Sequence, residues 1–151
     1  MLRLNIIFLI LNSLIFLSCS TQQVQLKDLL EQIKIVDVQS WINLMPGGPG
    51  SFHLIGVYEC TDTINCDAKL VKIKVFSENE LIYELNNDSF TCESQIENRL
   101  QPVKYNFYTN PGIKLNKKIQ TVEKVDVILV FDFDGSTIEK DYGGIILTRA
   151  Y

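Results

Sequence analysis

The feature that most constrains the fold is an alternation of apolar and polar residues with a period of two, which recurs along most of the chain after residue 32. It is clearest over residues 122–133, where one face would carry Val125, Val127, Leu129, Phe131 and Phe133. Residues 69–76 alternate in the same way between valine or isoleucine and lysine. Because successive side chains of a β-strand point to opposite faces, this pattern predicts half-buried strands rather than helices.

Turn signals separate these strands at short intervals. Residues 45–50 contain two prolines and three glycines, which favour a loop. Residues 110–112 (Asn-Pro-Gly) fit a type II turn, and residues 134–135 (Asp-Gly) fit a two-residue hairpin. The pair of glycines at 143–144 is expected to bend or bulge the last strand.

Seven or eight short strands with no long helical pattern predict an all-β domain, built as an antiparallel β-sandwich. At the level of pattern alone, this arrangement resembles the immunoglobulin and fibronectin type III class. No Cys…Trp…Cys spacing accompanies the strands, so the resemblance does not extend to a true immunoglobulin domain.

The N-terminus has the pattern of an export signal. Arg3 is the only charge in the first 26 residues, and residues 4–17 are almost wholly apolar. This is a one-charge segment followed by an apolar segment of the length expected for secretion. It is shorter than the roughly 20 apolar residues that a membrane-spanning helix needs. Residues 1–18 are therefore interpreted as a signal peptide.

The apolar segment ends at Ser18-Cys19-Ser20, and a small residue before a cysteine at this place resembles the lipobox of bacterial lipoproteins. The resemblance implies cleavage before Cys19, a lipid on its sulfur and a fatty acyl chain such as palmitate on the new amino group. Residues 19–31 would then be the lipidated cysteine and a tether. Phe16 and Leu17 depart from the usual lipobox, which leaves a plain secretory signal or an uncleaved anchor as alternatives.

The lipobox resemblance also implies the address of the protein, which is the cell envelope with the membrane contacted through lipid. Since Ser20 is not an acidic retention signal, the outer membrane is the expected location. Cleavage would leave 133 residues, and we expect residues 32–151 to form a single domain. The 133 residues left after cleavage carry 13 Lys and Arg against 18 Asp and Glu, a net charge of −5 without basic runs, which argues against nucleic-acid binding.

Three cysteines remain beside Cys19, so at most one intramolecular disulfide forms. Cys60 and Cys66 bracket a five-residue loop between two predicted strands, which favours that pair. Pairing of Cys60 or Cys66 with Cys92 would instead bridge more distant strands. Three reduced, buried thiols are the remaining alternative, because a free cysteine packs as a small hydrophobe.

Metal binding and catalysis are considered from the few residues suited to them. His53 is the only histidine, and together with Met45 and a free cysteine it would suit copper. The alternative interpretation places Met45 at the edge of the core and His53 on a strand face. We expect no metal or other cofactor, with the copper site at Met45 and His53 as the second hypothesis.

The sequence supports a calcium site or a catalytic site less well than it supports a copper site. Residues 132–135 resemble part of an EF-hand loop, but Val130 and Asp141 then occupy ligand positions of the wrong type, so a hairpin is favoured. The chain has no Gly-x-Ser-x-Gly motif, and a catalytic triad would have to use His53. The sequence therefore does not predict an enzyme.

A binding surface is expected around the Pro/Gly loop. Trp41, Met45 and His53 flank this loop, and a rigid loop between large apolar groups can present a surface at one end of a sandwich. The alternative is that Trp41 is a core tryptophan. The sequence thus predicts a non-catalytic binding or accessory module with a protein or glycan partner.

Overall fold

The computed structural model describes residues 30–61, 68–95 and 102–151. Contacts divide the chain into two units, 1–31 and 32–151, and the account below concerns the second unit. The predicted signal peptide, the lipidation site Cys19 and most of the predicted tether lie outside the described residues. Cys66 lies outside them too, so the hypotheses that rest on these residues stay predictions.

Strands account for most of the described residues, which confirms the prediction of an all-β domain. They are β1 (Ile33–Asn43), β2 (Ser51–Cys60), β3 (Lys69–Ser77), β4 (Glu80–Asn86), β5 (Thr91–Gln95), β6 (Val103–Tyr108), β7 (Ile113–Lys114), β8 (Lys124–Phe133) and β9 (Ser136–Ala150). A short 3₁₀ helix, Lys117–Thr121, lies between β7 and β8. Asn116 is its N-cap, and the Asn116 side chain accepts a hydrogen bond from the backbone N–H of Lys118.

The strands form one sheet in the order β4-β3-β8-β9-β1-β2-β6-β5, with β7 paired to β2, and the sheet curls into a half-barrel. All neighbours are antiparallel except β1 and β9, which run parallel over Ser40–Asn43 and Leu147–Ala150. The expectation of a purely antiparallel arrangement is therefore wrong at this pair. Alternation tells which residues share a face but says nothing about the direction of the neighbouring strand.

The concave side of the sheet holds the core. Phe52 of β2 stacks on Tyr83 of β4 with ring centroids 4.9 Å apart, and Tyr58 of β2 meets the edge of Phe131 of β8 at 5.0 Å. These strands are not neighbours in the sheet, so the contacts show that the sheet folds over a common interior. Phe52 and Phe131 are fully buried. Each such side chain contributes about 1.5–3 kcal/mol by leaving water.

Two of the expected turns form and one does not. Asp134 and Gly135 both have positive φ, as a two-residue hairpin requires, and the glycines at 143–144 form a bulge opposite the step from Val125 to Val127. Both predictions are confirmed. The type II turn is wrong, because Gly112 lacks the positive φ that this turn needs at its third residue.

Candidate binding face

The convex side of the sheet has two regions of different chemistry. On one half of this side, lysines of β3 pair with glutamates of β4 and of the first part of β9. Lys72 pairs with Glu84 at 2.5 Å and Lys74 with Glu139 at 2.7 Å. These exposed pairs contribute little to stability, but they cover this half of the sheet with charge.

Over β1, β2, β6 and the last part of β9, one region of the convex side contains no Asp, Glu, Lys or Arg. The outward positions there share rows set by the strand register, and we call them the Trp41 face: Gln39, Trp41, His53, Ile55, Val57, Asn106, Tyr108, Ile146 and Thr148. In register, Trp41 lies between His53 and Thr148, and Ile55 lies between Gln39 and Tyr108. Ile146 is 66% exposed and Ile55 is 38% exposed, so the face presents apolar surface to water.

A stacked pair of rings lies in the Trp41 face. The rings of Trp41 and His53 are 5.0 Å apart and inclined by 3°. The His53 Nε2 atom hydrogen-bonds to the Ser51 hydroxyl at 2.9 Å. A Cβ atom on Gly112 would come within 2.3 Å of the imidazole, so only glycine fits beneath the ring. Partial burial lowers the pKa of His53, which keeps the imidazole neutral at pH 7.

Charged groups lie at the border of the face rather than within it. Asp37 accepts a hydrogen bond from the Gln39 amide at 2.7 Å, and Glu93 accepts one from the Tyr108 hydroxyl at 2.9 Å. Glu59 and Lys104 form a 3.5 Å ion pair in the next row. An uncharged centre with aromatic side chains and a polar border is typical of interaction surfaces.

A groove of about 380 Å³ adjoins the face where β1 and β9 separate. The bulge at residues 143–144 moves β9 away from β1, so the two strands pair only from Ser40 onward. Among the residues that line the groove are Val38, Ser40, Trp41, Tyr142, Ile145 and Ile146. Its volume falls within the range of small-molecule sites, which is about 300–1,000 Å³.

Ser40 in this groove is 2% exposed, and its Oγ atom has no hydrogen-bond partner among the described residues. Leaving a buried hydroxyl without a partner costs about 1–3 kcal/mol, and such groups are rare in folded proteins. In register Ser40 pairs with the buried Leu54 and Leu147, so its hydroxyl lies on the concave side of the sheet, opposite the Trp41 face.

A second groove, of about 800 Å³, lies between the β3–β4 turn and the start of β8. It is lined by charged residues of both signs, and three of them already have partners. Lys118 forms an ion pair with Glu80, and Asp126 accepts a hydrogen bond from the Gly144 N–H at 2.7 Å. Since these groups hold the turn and the bulge in place, we assign the second groove a structural role.

The sequence-predicted surface residues take different places. Trp41 and His53 are in direct contact on the convex side, so the alternative that Trp41 is a core tryptophan is wrong. Met45 is 55% exposed in the Pro/Gly loop, where its N–H donates to the Asn43 side chain at 3.0 Å. The members of the face from β6 and β9 were missed because their place beside Trp41 depends on strand order.

The cysteines resolve in part. Cys60 is disulfide-bonded and Cys92 is free, so the pairings that use Cys92 and the alternative of three reduced thiols are wrong. The Cys60–Cys66 pair stays a prediction. The Cys92 sulfur lies 3.6 Å from the Tyr58 hydroxyl, and burial of the sulfur raises the pKa of the Cys92 thiol.

Cys92 cannot join His53 in one metal site. Cys92 pairs in register with Phe107, and Phe107 with Gly56, which places the thiol on the concave side of the sheet. His53 points to the convex side with Trp41. Over the ranges that the structure describes, no group of three or more His, Cys, Asp or Glu side chains is placed to hold a metal ion. Asp132 instead accepts a hydrogen bond from the Gly135 N–H, which supports the hairpin.

Comparison with known proteins adds no identity to this geometry, since no family model, curated protein or solved structure matches the chain. Within the described part of the chain, none of the helices is long and apolar enough to span a membrane.

Proposed function

We propose that this chain is a lipid-anchored protein of the cell envelope, and that its β-domain is a non-catalytic binding module that uses the Trp41 face. The observation that carries the proposal is the exposed, charge-free face centred on the Trp41–His53 stack and adjoined by a groove. Surfaces of this kind are depleted in charge and enriched in aromatic residues where partners bind. Contiguous apolar patches on a monomer are often functional.

The anchor is proposed from the lipobox-like residues 18–20, with Cys19 as the lipidated residue. Residues 19–31 would form the tether, which at full extension reaches at most about 45 Å. Two or three acyl chains would hold the domain on a bilayer, because each buried CH₂ contributes about 0.8 kcal/mol. The outer membrane is the proposed location, and the tether would let the face meet partners in the surrounding envelope.

We further propose that the curled sheet is an immunoglobulin-like sandwich, in which the strands β4-β3-β8-β9 form one layer and the strands β1-β2-β6-β5 form the other. The contacts Phe52–Tyr83 and Tyr58–Phe131 support this arrangement, because each joins one proposed layer to the other. A sandwich would hold the Trp41 face rigid, since one side of its layer is packed on the core.

Copper handling by Met45 and His53 is the second proposal. It is supported by the lowered pKa of His53, which leaves a neutral imidazole, and by the exposed thioether of Met45. It ranks second because the Ser51 hydroxyl already bonds Nε2 of His53, and because Cys92 faces the other side of the sheet. A Cu(I) titration that leaves the His53 ring resonances unchanged would exclude it.

Site-specific photo-crosslinking in living cells tests the binding module. A benzophenone amino acid replaces Ile146 on the Trp41 face, and in a matched control it replaces Lys72 on the charged half of the convex side. We expect a discrete adduct from position 146 that is lost on Trp41→Ala, and none from position 72. Equal labelling from both positions, or none from position 146, would contradict the proposal.

The anchor has its own test. Cells grown with an alkyne-tagged palmitate should label the protein, and Cys19→Ala should abolish the label. Retention of the label in that variant would refute lipidation at Cys19. The binding experiment does not depend on this outcome, because it probes the folded domain.

A further inference from the structure

We propose that the ligand of the Trp41 face is an uncharged glycan chain, an inference that rests on the binding function proposed above. A pyranose ring presents C–H groups on its faces and hydroxyl groups around its edge. Aromatic rings and neutral hydrogen-bonding side chains together match those two properties. Four features of the face point to this ligand: its area, its charge, its polar groups and its length.

The area of the face suits a short chain-like ligand better than a folded protein partner. Neighbouring strands are about 4.8 Å apart and same-side residues about 6.7 Å apart, so each outward position covers about 32 Å². Nine positions give a planar area of about 300 Å², whereas a standard protein interface buries about 800 Å² of accessible surface on each partner. A short chain-like ligand fits this footprint.

The charge of the face selects an uncharged ligand. None of its nine residues is Asp, Glu, Lys or Arg. The border carries Asp37 and Glu93 at the two ends of the row through Val57 and Asn106, Lys124 opposite Ile146, and the Glu59–Lys104 ion pair. Two unpaired carboxylates against one lysine leave the border net negative, which disfavours an anionic glycan, and a cationic peptide would find no counter-charge at the centre.

The polar groups of the face are suited to hydroxyls. Gln39, Asn106 and Thr148 surround the ring stack and offer both donors and acceptors. The edge of a pyranose ring carries hydroxyl groups that both donate and accept, so each of these side chains can bond one of them.

The length of the face matches an oligosaccharide rather than a single sugar. Trp41 and Tyr108 are two strands and one row apart in the register, which places their backbones about 12 Å from one another. Both side chains are aromatic and point to the same side. A chain of linked pyranose rings can contact both at once, whereas a monosaccharide can contact only one.

The test uses the full chain, purified in mild detergent, and three neutral hexasaccharides of glucose, mannose and N-acetylglucosamine as probes. A hexasaccharide of galacturonic acid is the charged comparator. Trp41 is the only tryptophan, so its fluorescence reports binding at the face directly. Gln39→Ala and Asn106→Ala keep this reporter, and Lys72→Gln on the charged half of the convex side is the matched control. Because Trp41→Phe lacks the tryptophan fluorescence, its affinity is measured by calorimetry.

We expect at least one neutral hexasaccharide to bind saturably and the galacturonic acid oligomer to bind at least tenfold more weakly. Gln39→Ala or Asn106→Ala should weaken binding about five- to tenfold, and Trp41→Phe more, because it removes the central anchor. Lys72→Gln should change nothing. Tighter binding of the charged oligomer, or unchanged affinity in all three face variants, would overturn the inference.

Failure of this inference can be separated from failure of the proposed function. If no neutral hexasaccharide binds at concentrations up to about 10 mM, any affinity is weaker than millimolar and the glycan inference is wrong. A protein adduct from position 146 alongside that result would retain the binding module with a protein partner. No adduct and no glycan binding would refute both.

Discussion

Replacing Gly56 with alanine tests the packing that holds the Trp41 face on the core. Gly56 lies in β2 and pairs in register with Val38 of β1 and Phe107 of β6. A Cβ atom there would approach the Phe107 ring to 2.3 Å and the Asp37 carbonyl oxygen to 2.8 Å. The ring would have to move by about 1 Å to regain ordinary contact. Phe107 is fully buried and the carbonyl belongs to the backbone, so neither can move freely.

Overpacking of this kind costs about 1–3 kcal/mol, and we expect about 2 kcal/mol for Gly56→Ala. Urea unfolding followed by Trp41 fluorescence measures it, and at a slope of about 2 kcal/mol per molar the midpoint should fall by about 1 M. Gly48→Ala is the matched control, since no atom lies within 4 Å of its Cβ position and its φ is not positive. It should leave the midpoint unchanged or raise it slightly. Equal midpoints for the Gly56 and Gly48 variants would refute the packing.

Three further predictions concern polar groups. Burial lowers the pKa of His53 below its usual 6.5, so on acidification the unfolded chain binds a proton at this residue before the folded protein does. The free energy of unfolding should therefore fall from pH 7 to pH 5, and it should fall less in His53→Gln. Equal pH dependence in both proteins would contradict this. Tyr83→Phe keeps the ring but removes the hydroxyl that accepts a 2.7 Å hydrogen bond from the Asn116 N–H. The free energy of unfolding in the same urea assay should fall by about 1 kcal/mol. An unchanged free energy of unfolding would show that water replaces the hydroxyl. Alkylation of the unreduced protein, read by peptide mass spectrometry, should modify Cys92 and not Cys60, and modification of Cys60 would refute its disulfide. The rate at Cys92 should rise with pH because the thiolate reacts, and the rise should come at higher pH than for a free thiol because burial raises the pKa of the Cys92 thiol.

Local parts of the fold were accessible from the sequence because they depend on local pattern. The alternating runs became β3 and β8, with Val125, Val127 and Leu129 buried as expected. The two-residue hairpin and the bulge followed from residue types with special backbone freedom. Strand β7 was not foreseen, because two residues are too few to show a period.

The site could be predicted only in part, since its members come from four strands. Trp41 and His53 could be predicted as surface residues because they flank the Pro/Gly loop, and antiparallel pairing of β1 with β2 brings them together. Tyr108 and Ile146 join them through the order of the sheet, and for Ile146 through the parallel pairing of β9. Pairing order is decided by packing of the whole domain, which no short stretch of sequence encodes.

The contrast between the two halves of the convex side bears on why an uncharged face exists at all. The fold does not require it, because the half that carries Lys72 and Glu84 is covered with charge on strands of the same sheet. Exposed Ile146 and partly exposed Trp41 lose the favourable free energy that burial of apolar surface provides. Folding alone would favour polar side chains at these positions. A ligand that covers the face would offset this cost, and this reasoning links the Trp41 face to binding rather than to stability.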